Sequence, residues 1–228
     1  MRDVNSAISE LAGNTLLVVG ALFPIVNPLG NAPIFLDLTR HCSPGVRYAL
    51  AWRVALGGFL LLLASLFLGS HLLVFFGITL PVVRVAGGLV VATVGWGILN
   101  RGTGPDDQDT PGSIDDTQAS KQAFYPLTMP LTVGPGSIAT AIALGSQKPI
   151  AGADFRHFVL ESVAAVIALA AVAATIYFSY RFADRIEKFL GPSGTNVLVR
   201  LFAFVLLCIG AQIMWVGASE LITQIKTP

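Results

Sequence analysis

Two short stretches of this chain bring together residues that could hold a small solute largely through the backbone. One reads PIVNPLGNAP at 24–33, and the other reads PLTVGPGSIAT from position 130. Proline lacks an amide hydrogen and clashes with the carbonyl one turn earlier, so each proline in a helix frees an acceptor. The residue before it is pushed out of helical geometry. Pro24, Pro28 and Pro33, and then Pro126, Pro130 and Pro135, therefore predict two broken helices.

New half-helices are expected to begin at about 30–31 and about 136–137. The first amides of a helix have no internal partner, and the helix dipole makes that end positive, so it can bind a carboxylate without a cationic side chain. The last carbonyls before each break, around 23–26 and 129–132, would accept from an ammonium group or a small cation. Donors facing acceptors in this way suit a small amino acid. The candidate binding residues are Asn27, Pro28, Gly30 and Asn31 in the first stretch. In the second they are Thr132, Gly134, Pro135, Gly136, Ser137 and Thr140. Glycine allows close backbone approach.

The elements that must position these residues cross a membrane. The chain is 54% hydrophobic and only 12% charged, too few charges to cover a soluble domain of its 228 residues. Runs nearly free of charge lie at 11–36, 54–83, 85–100, 122–147, 162–180 and 201–219. A spanning helix needs roughly 20 apolar residues, so the expected fold is all-α and polytopic, with six spans. Freed backbone groups in hydrocarbon cost several kcal/mol each, and are tolerated only where they line a cavity or a site.

The sequence also suggests an internal repeat. The two broken runs match, with Pro28 against Pro135, and VVRVAGGLVVATVG matches LVRLFAFVLLCIG, with Arg84 against Arg200. The expected organisation is a first three-helix repeat at 1–100, an acidic linker at 101–121 and a second repeat at 122–228. With three spans per repeat, the second copy must be inverted, a layout common among secondary transporters. Arg40, Arg47, Arg53, Arg101, Lys121, Arg181, Arg185 and Lys188 fall on one side of this arrangement, against Arg2, Lys148, Arg156 and Lys226 on the other. The positive-inside rule makes the first side cytoplasmic and puts both termini outside. The N-terminal segment carries no cleavage signal, and its removal is not expected.

Arg84 and Arg200 each lie a few residues inside a span. Either they snorkel to the headgroups, or they act in gating by binding freed carbonyls or the substrate carboxylate. Gly87, Gly88, Gly95 and Gly97 are read as close helix-packing positions. Cys42 and Cys208 are isolated, and His41, His71 and His157 fall near span ends. Enzyme chemistry lacks its usual signatures here: there is no HExxH, no Walker lysine, and no carboxylate at mid-span.

At NPLGNAPIF (27–35) and PLTVGPGSIAT (130–140), with RVAGG at 84–88, the sequence resembles the MarC family of six-span inner-membrane proteins. The likeness covers nearly the whole chain outside 101–121. It implies transport of small neutral amino acids such as glycine and alanine, as in archaeal members, and carries no link to drug efflux. Some members have Asp where this chain has Asn27, so coupling through a buried carboxylate is poorly supported here. The expected partners are membrane lipid, a small zwitterionic solute, Na+ or H+ where a coupling ion is used, and a second copy in a homo-oligomer. No nucleic acid, cofactor or metal is expected. An exporter or channel for another solute, and a non-transporting scaffold, stand as the alternatives.

Overall fold

The computed structural model describes residues 2–100, 119–146 and 155–226. Most of the expected linker, together with Arg101 and Lys148, lies outside the described residues, and so does the side chain of His157. The described chain is helical throughout: α1 (Arg2–Val26), α2 (Pro28–Leu38), α3 (Pro44–Phe76), α4 (Leu80–Asn100), a short α5 (Ala119–Gln122), a π-helical segment (Ala123–Thr132), α6 (Pro135–Ser146), α7 (Phe155–Arg181) and α8 (Ala183–Lys226). Among the described residues five helical stretches are long and apolar enough to span a membrane, α1 and α2 together forming one of them as Ala7–Leu38. The π-helical segment and α6 make a sixth if that pair, bent by 71°, counts as one span.

Local chemistry sets the ends of these helices. Pro44 opens α3 at the first helical position, where its missing amide costs nothing. Gly77 closes α3 in the left-handed region at φ 65°, with its amide on Val74 O and that of Ile78 on Leu73 O. This is a Schellman termination, which glycine accommodates without strain. The 33 residues of α3 reach about 50 Å at 1.5 Å per residue, well beyond the hydrocarbon core.

The main buried cluster draws on α1, α2, α3, the π-helical segment, α6 and α7, and from α8 only Ala183. The α4–α8 pair is held differently, by backbone approach at glycines. A Cβ at Gly88 would lie 2.6 Å from Met214 N, one at Gly95 2.7 Å from Leu207 N, and one at Gly217 2.7 Å from Pro81 O. Small residues that let backbones touch are the usual means of joining helices in lipid, where no hydrophobic force drives them together. Gly97 departs from the expected packing role, since a Cβ there would meet nothing within 4 Å. Trp52, Trp96 and Trp215 are exposed on the outside of the bundle.

Charged residues tie the two ends. Arg47 Nη1 donates to both oxygens of Asp184 at 2.7 Å, and its Nη2 donates to Thr39 O at 3.2 Å and Cys42 O at 3.4 Å. Arg40 pairs with Asp37 at 2.9 Å and with Glu187 at 3.6 Å. These bonds clamp the α2–α3 corner to the start of α8. At the opposite end, Arg84 of α4 pairs with Glu220 of α8.

Candidate functional site

The first break is a single residue. Asn27 takes the left-handed conformation (φ 48°, ψ 58°), which asparagine tolerates better than most side chains. Its Oδ1 accepts from the Gly30 amide at 3.2 Å, so α2 begins at Pro28 and is capped by its own Asn27. The half-helix therefore starts earlier than the sequence suggests, and the Gly30 amide is not free for a ligand. A Cβ on Gly30 would run into the Asn27 side chain, so this glycine serves the cap.

The second break is longer. Tyr-Pro-Leu-Thr at 125–128 is followed by Met-Pro-Leu-Thr at 129–132. Each unit begins with an extended residue, Tyr125 or Met129, followed by a proline in a cis peptide bond. Each ends with a threonine whose hydroxyl donates five residues back: Thr128 to Ala123 O at 2.8 Å, and Thr132 to Leu127 O at 2.7 Å. The hydroxyls thus satisfy acceptors that an α-helical ladder would have served. This doublet is visible in the sequence and could have marked the coil.

Asn31 joins the two breaks. Its Nδ2 donates to Val26 O at 2.9 Å and to Leu131 O at 3.1 Å, a residue 100 positions away. Both carbonyls have lost their helical donors. The amide that would serve Val26 is that of Gly30, diverted to Asn27, and the one that would serve Leu131 belongs to Pro135, which has none. With Nδ2 fixed on two acceptors, Oδ1 is the remaining acceptor of the side chain, and it has no partner among the described residues.

A second tie comes from Tyr180, which the sequence reading missed. Thr132 has one hydroxyl proton, already given to Leu127 O, so the Tyr180 hydroxyl donates to Thr132 at 2.7 Å. The Tyr180 ring stacks on Phe35 of α2, with centroids 4.3 Å apart. No sequence periodicity links positions 35, 132 and 180; only the fold brings them together.

Between the breaks lies a cavity of about 280 Å³ lined by Asn31, Thr132, Gly134, Pro135, Gly136 and Ser137, with Val90, Val91 and Leu206 supplying apolar wall. The amides of Gly136 and Ser137, at the start of α6, have no acceptor among the described residues, and the Ser137 hydroxyl turns back to Gly134 O at 2.8 Å. The Thr132 carbonyl likewise accepts no hydrogen bond among the described residues. Asn27, Pro28 and Gly30 stand behind this cavity and do not line it. A larger cavity of about 450 Å³ shares Asn31, Pro130 and Leu131 with it and leads to Asp37.

Thr140, Arg84 and Arg200 lie elsewhere. Arg84 and Thr140 line a separate cavity of about 220 Å³ with Gln212. Close contact between α4 and α6 separates the two cavities: a Cβ on Gly87 would sit 2.7 Å from that of Ala139, and one on Gly136 would strike Val91. Arg200 is exposed on α8 and makes no ion pair with the described residues. Neither arginine reaches the freed carbonyls.

These features define a class, the polytopic helical membrane protein whose interrupted spans meet at an internal cavity. Residues 14–222 match the model of the MarC family, described as integral membrane proteins, and the chain belongs to that family. It is 31% identical over 205 residues to the inner membrane protein MarC of Citrobacter koseri, covering 88% of this chain and 92% of the relative. The MarC proteins of Salmonella typhimurium and Escherichia coli O1:K1 / APEC match at the same identity and coverage. No solved structure matches. The protein is thus a multi-pass protein of the bacterial inner membrane.

Proposed function

We propose that this protein is a secondary transporter of small neutral amino acids, with glycine and alanine as the model substrates. The observation that carries the reading is the Asn31 bridge: one side chain joins both interrupted spans and leaves its own Oδ1 and two α6 amides at one cavity. The Gly136 and Ser137 amides suit a carboxylate at a helix N-terminus. Asn31 Oδ1 and the Thr132 carbonyl, both from residues that line the cavity, suit an ammonium group. The valines and Leu206 leave room for hydrogen or a methyl group beside them, and 280 Å³ lies at the small end of ligand pockets.

Transport by alternating access rests on two inverted three-helix repeats, and the pairing of the helices supports that arrangement. The third helices of the two halves, α4 and α8, pack on each other, as do the second helices, α3 and α7. The half-helix α2 meets α8 as α6 meets α4, and α1 meets α7 as the π-helical segment meets α3. These contacts of one half thus have counterparts in the other, as expected of a pseudo-two-fold axis.

The test is uptake and exchange of labelled glycine and alanine by protein in liposomes, with and without a Na+ or pH gradient. Saturable flux is expected, and it should vanish in Gly136→Val, whose side chain would displace Val91 and fill the cavity. Absence of flux for every zwitterion tried would overturn the reading.

A further inference from the structure

Arg47 and Arg84 are two intramolecular ion-paired arginines with different surroundings. Arg47 uses both terminal nitrogens, on a carboxylate and on two carbonyls, and so serves the corner that it clamps. Arg84 has Glu220 as its only partner among the described residues, and its other N–H groups are left to the cavity that it lines. Both Arg84 and Glu220 lie within helices long and apolar enough to span, Leu80–Asn100 and Ser193–Gln224. Ionisable groups at such positions are costly and usually functional. Holding α4 to α8 does not require the pair, because Gly88, Gly95 and Gly217 already bring the two backbones together beside it.

Resting on the transporter reading, we propose that the Arg84–Glu220 pair is a second, outer station for the same class of substrate, a free zwitterionic amino acid. Its carboxylate takes the open N–H groups of Arg84, in the forked geometry that guanidinium favours. Its ammonium takes a Glu220 oxygen. Both charges, which are partly buried, then keep a partner, so the ligand enters the pair without stranding either one. The Thr140 hydroxyl, which donates to Gly136 O at 3.0 Å, and Gln212 complete a polar wall. Thr140 is in the same helix as the central amides, and the close α4–α6 contact at Gly87 and Ala139 stands between this station and the central cavity. Opening of that contact would pass a solute from one set of partners to the next.

A membrane supplies zwitterions of its own in phosphatidylethanolamine headgroups, so the test separates the two sources. Equilibrium dialysis with labelled glycine is done on the full chain in nanodiscs of phosphatidylglycerol, which offers no amine. Wild type should show two classes of site, and Arg84→Gln and Glu220→Gln should each lose one of them while keeping their thermal transition. In oriented liposomes the same variants should raise the half-saturating glycine concentration about tenfold or more on the Arg84 side, the worth of a charge-assisted bond. A single class that both variants retain overturns the outer station and leaves the transporter reading standing. No binding by wild type overturns both. Displacement of the Arg84-dependent class by phosphatidylethanolamine overturns the amino acid assignment in favour of a lipid headgroup.

Discussion

An aspartate at position 31 would match asparagine in shape and reverse its hydrogen-bonding sense. The donor that now serves Val26 O and Leu131 O would become an oxygen, and both carbonyls would face a carboxylate or an unsatisfied acceptor. Leaving a buried acceptor unpaired costs about 1–3 kcal/mol, so Asn31→Asp and Asn31→Ala should both lower the thermal midpoint in detergent and abolish glycine binding at the central cavity. At the first break a smaller change is expected: Gly30→Ala would push Asn27 off the cap and cost about 1 kcal/mol, measurable in the same melt. The sequence makes the prolines of both breaks legible, because proline acts on its own chain. It names Asn31 as polar and near the break, but not as the bridge, since its second acceptor lies 100 residues on. Tyr180 was illegible for the same reason.

The glycines of α4 show how far a one-dimensional reading reaches at the level of an element. Gly87, Gly88, Gly95 and Gly97 look equivalent in sequence, and the first three do sit where a Cβ would collide. Gly97 lies two residues beyond Gly95, which on an α-helix is a rotation of about 200°, and it faces open space instead of α8. Gly88→Val and Gly97→Val therefore make a matched pair. The first forces a branched side chain against Met214 N and Gly210 O and should destabilise by about 1–3 kcal/mol or more, as overpacking does. The second should shift the melting curve little. An equal loss in both variants would mean that α4 packs on α8 by a different face. The half-helix starts carry a similar lesson. The sequence placed them by the glycines, at 30–31 and 136–137, whereas each begins at a proline, Pro28 or Pro135. Proline is favoured at the first helical position because its missing amide would have been unpaired there anyway.

Across the molecule, the cavities open unequally. Next to the central site, and sharing Asn31 and Pro130 with it, a second cavity extends past Gly97 and Ile34 to Asp37, while the Gly87–Ala139 contact lies between the central site and Arg84. Asp37 sits at the end that gathers Arg40, Arg47, Arg181 and Arg185, which the positive-inside rule assigns to the cytoplasm. Together these make a prediction about one atom seen from two sides. In a chain with Cys208→Ser, so that buried Cys42 is the remaining native thiol, Gly97→Cys should react with a membrane-impermeant maleimide in inverted vesicles and resist it in spheroplasts. Glycine or alanine, held a few residues deeper, should slow the reaction. Reaction in spheroplasts alone would reverse the orientation while leaving the path intact. Reaction from both sides alike would mean that the contact between α4 and α6 does not seal the far end. An open path on one side and a blocked one on the other is what distinguishes a carrier from a pore, because a pore needs both ends open at once. The α4–α6 contact is therefore the element on which that distinction turns.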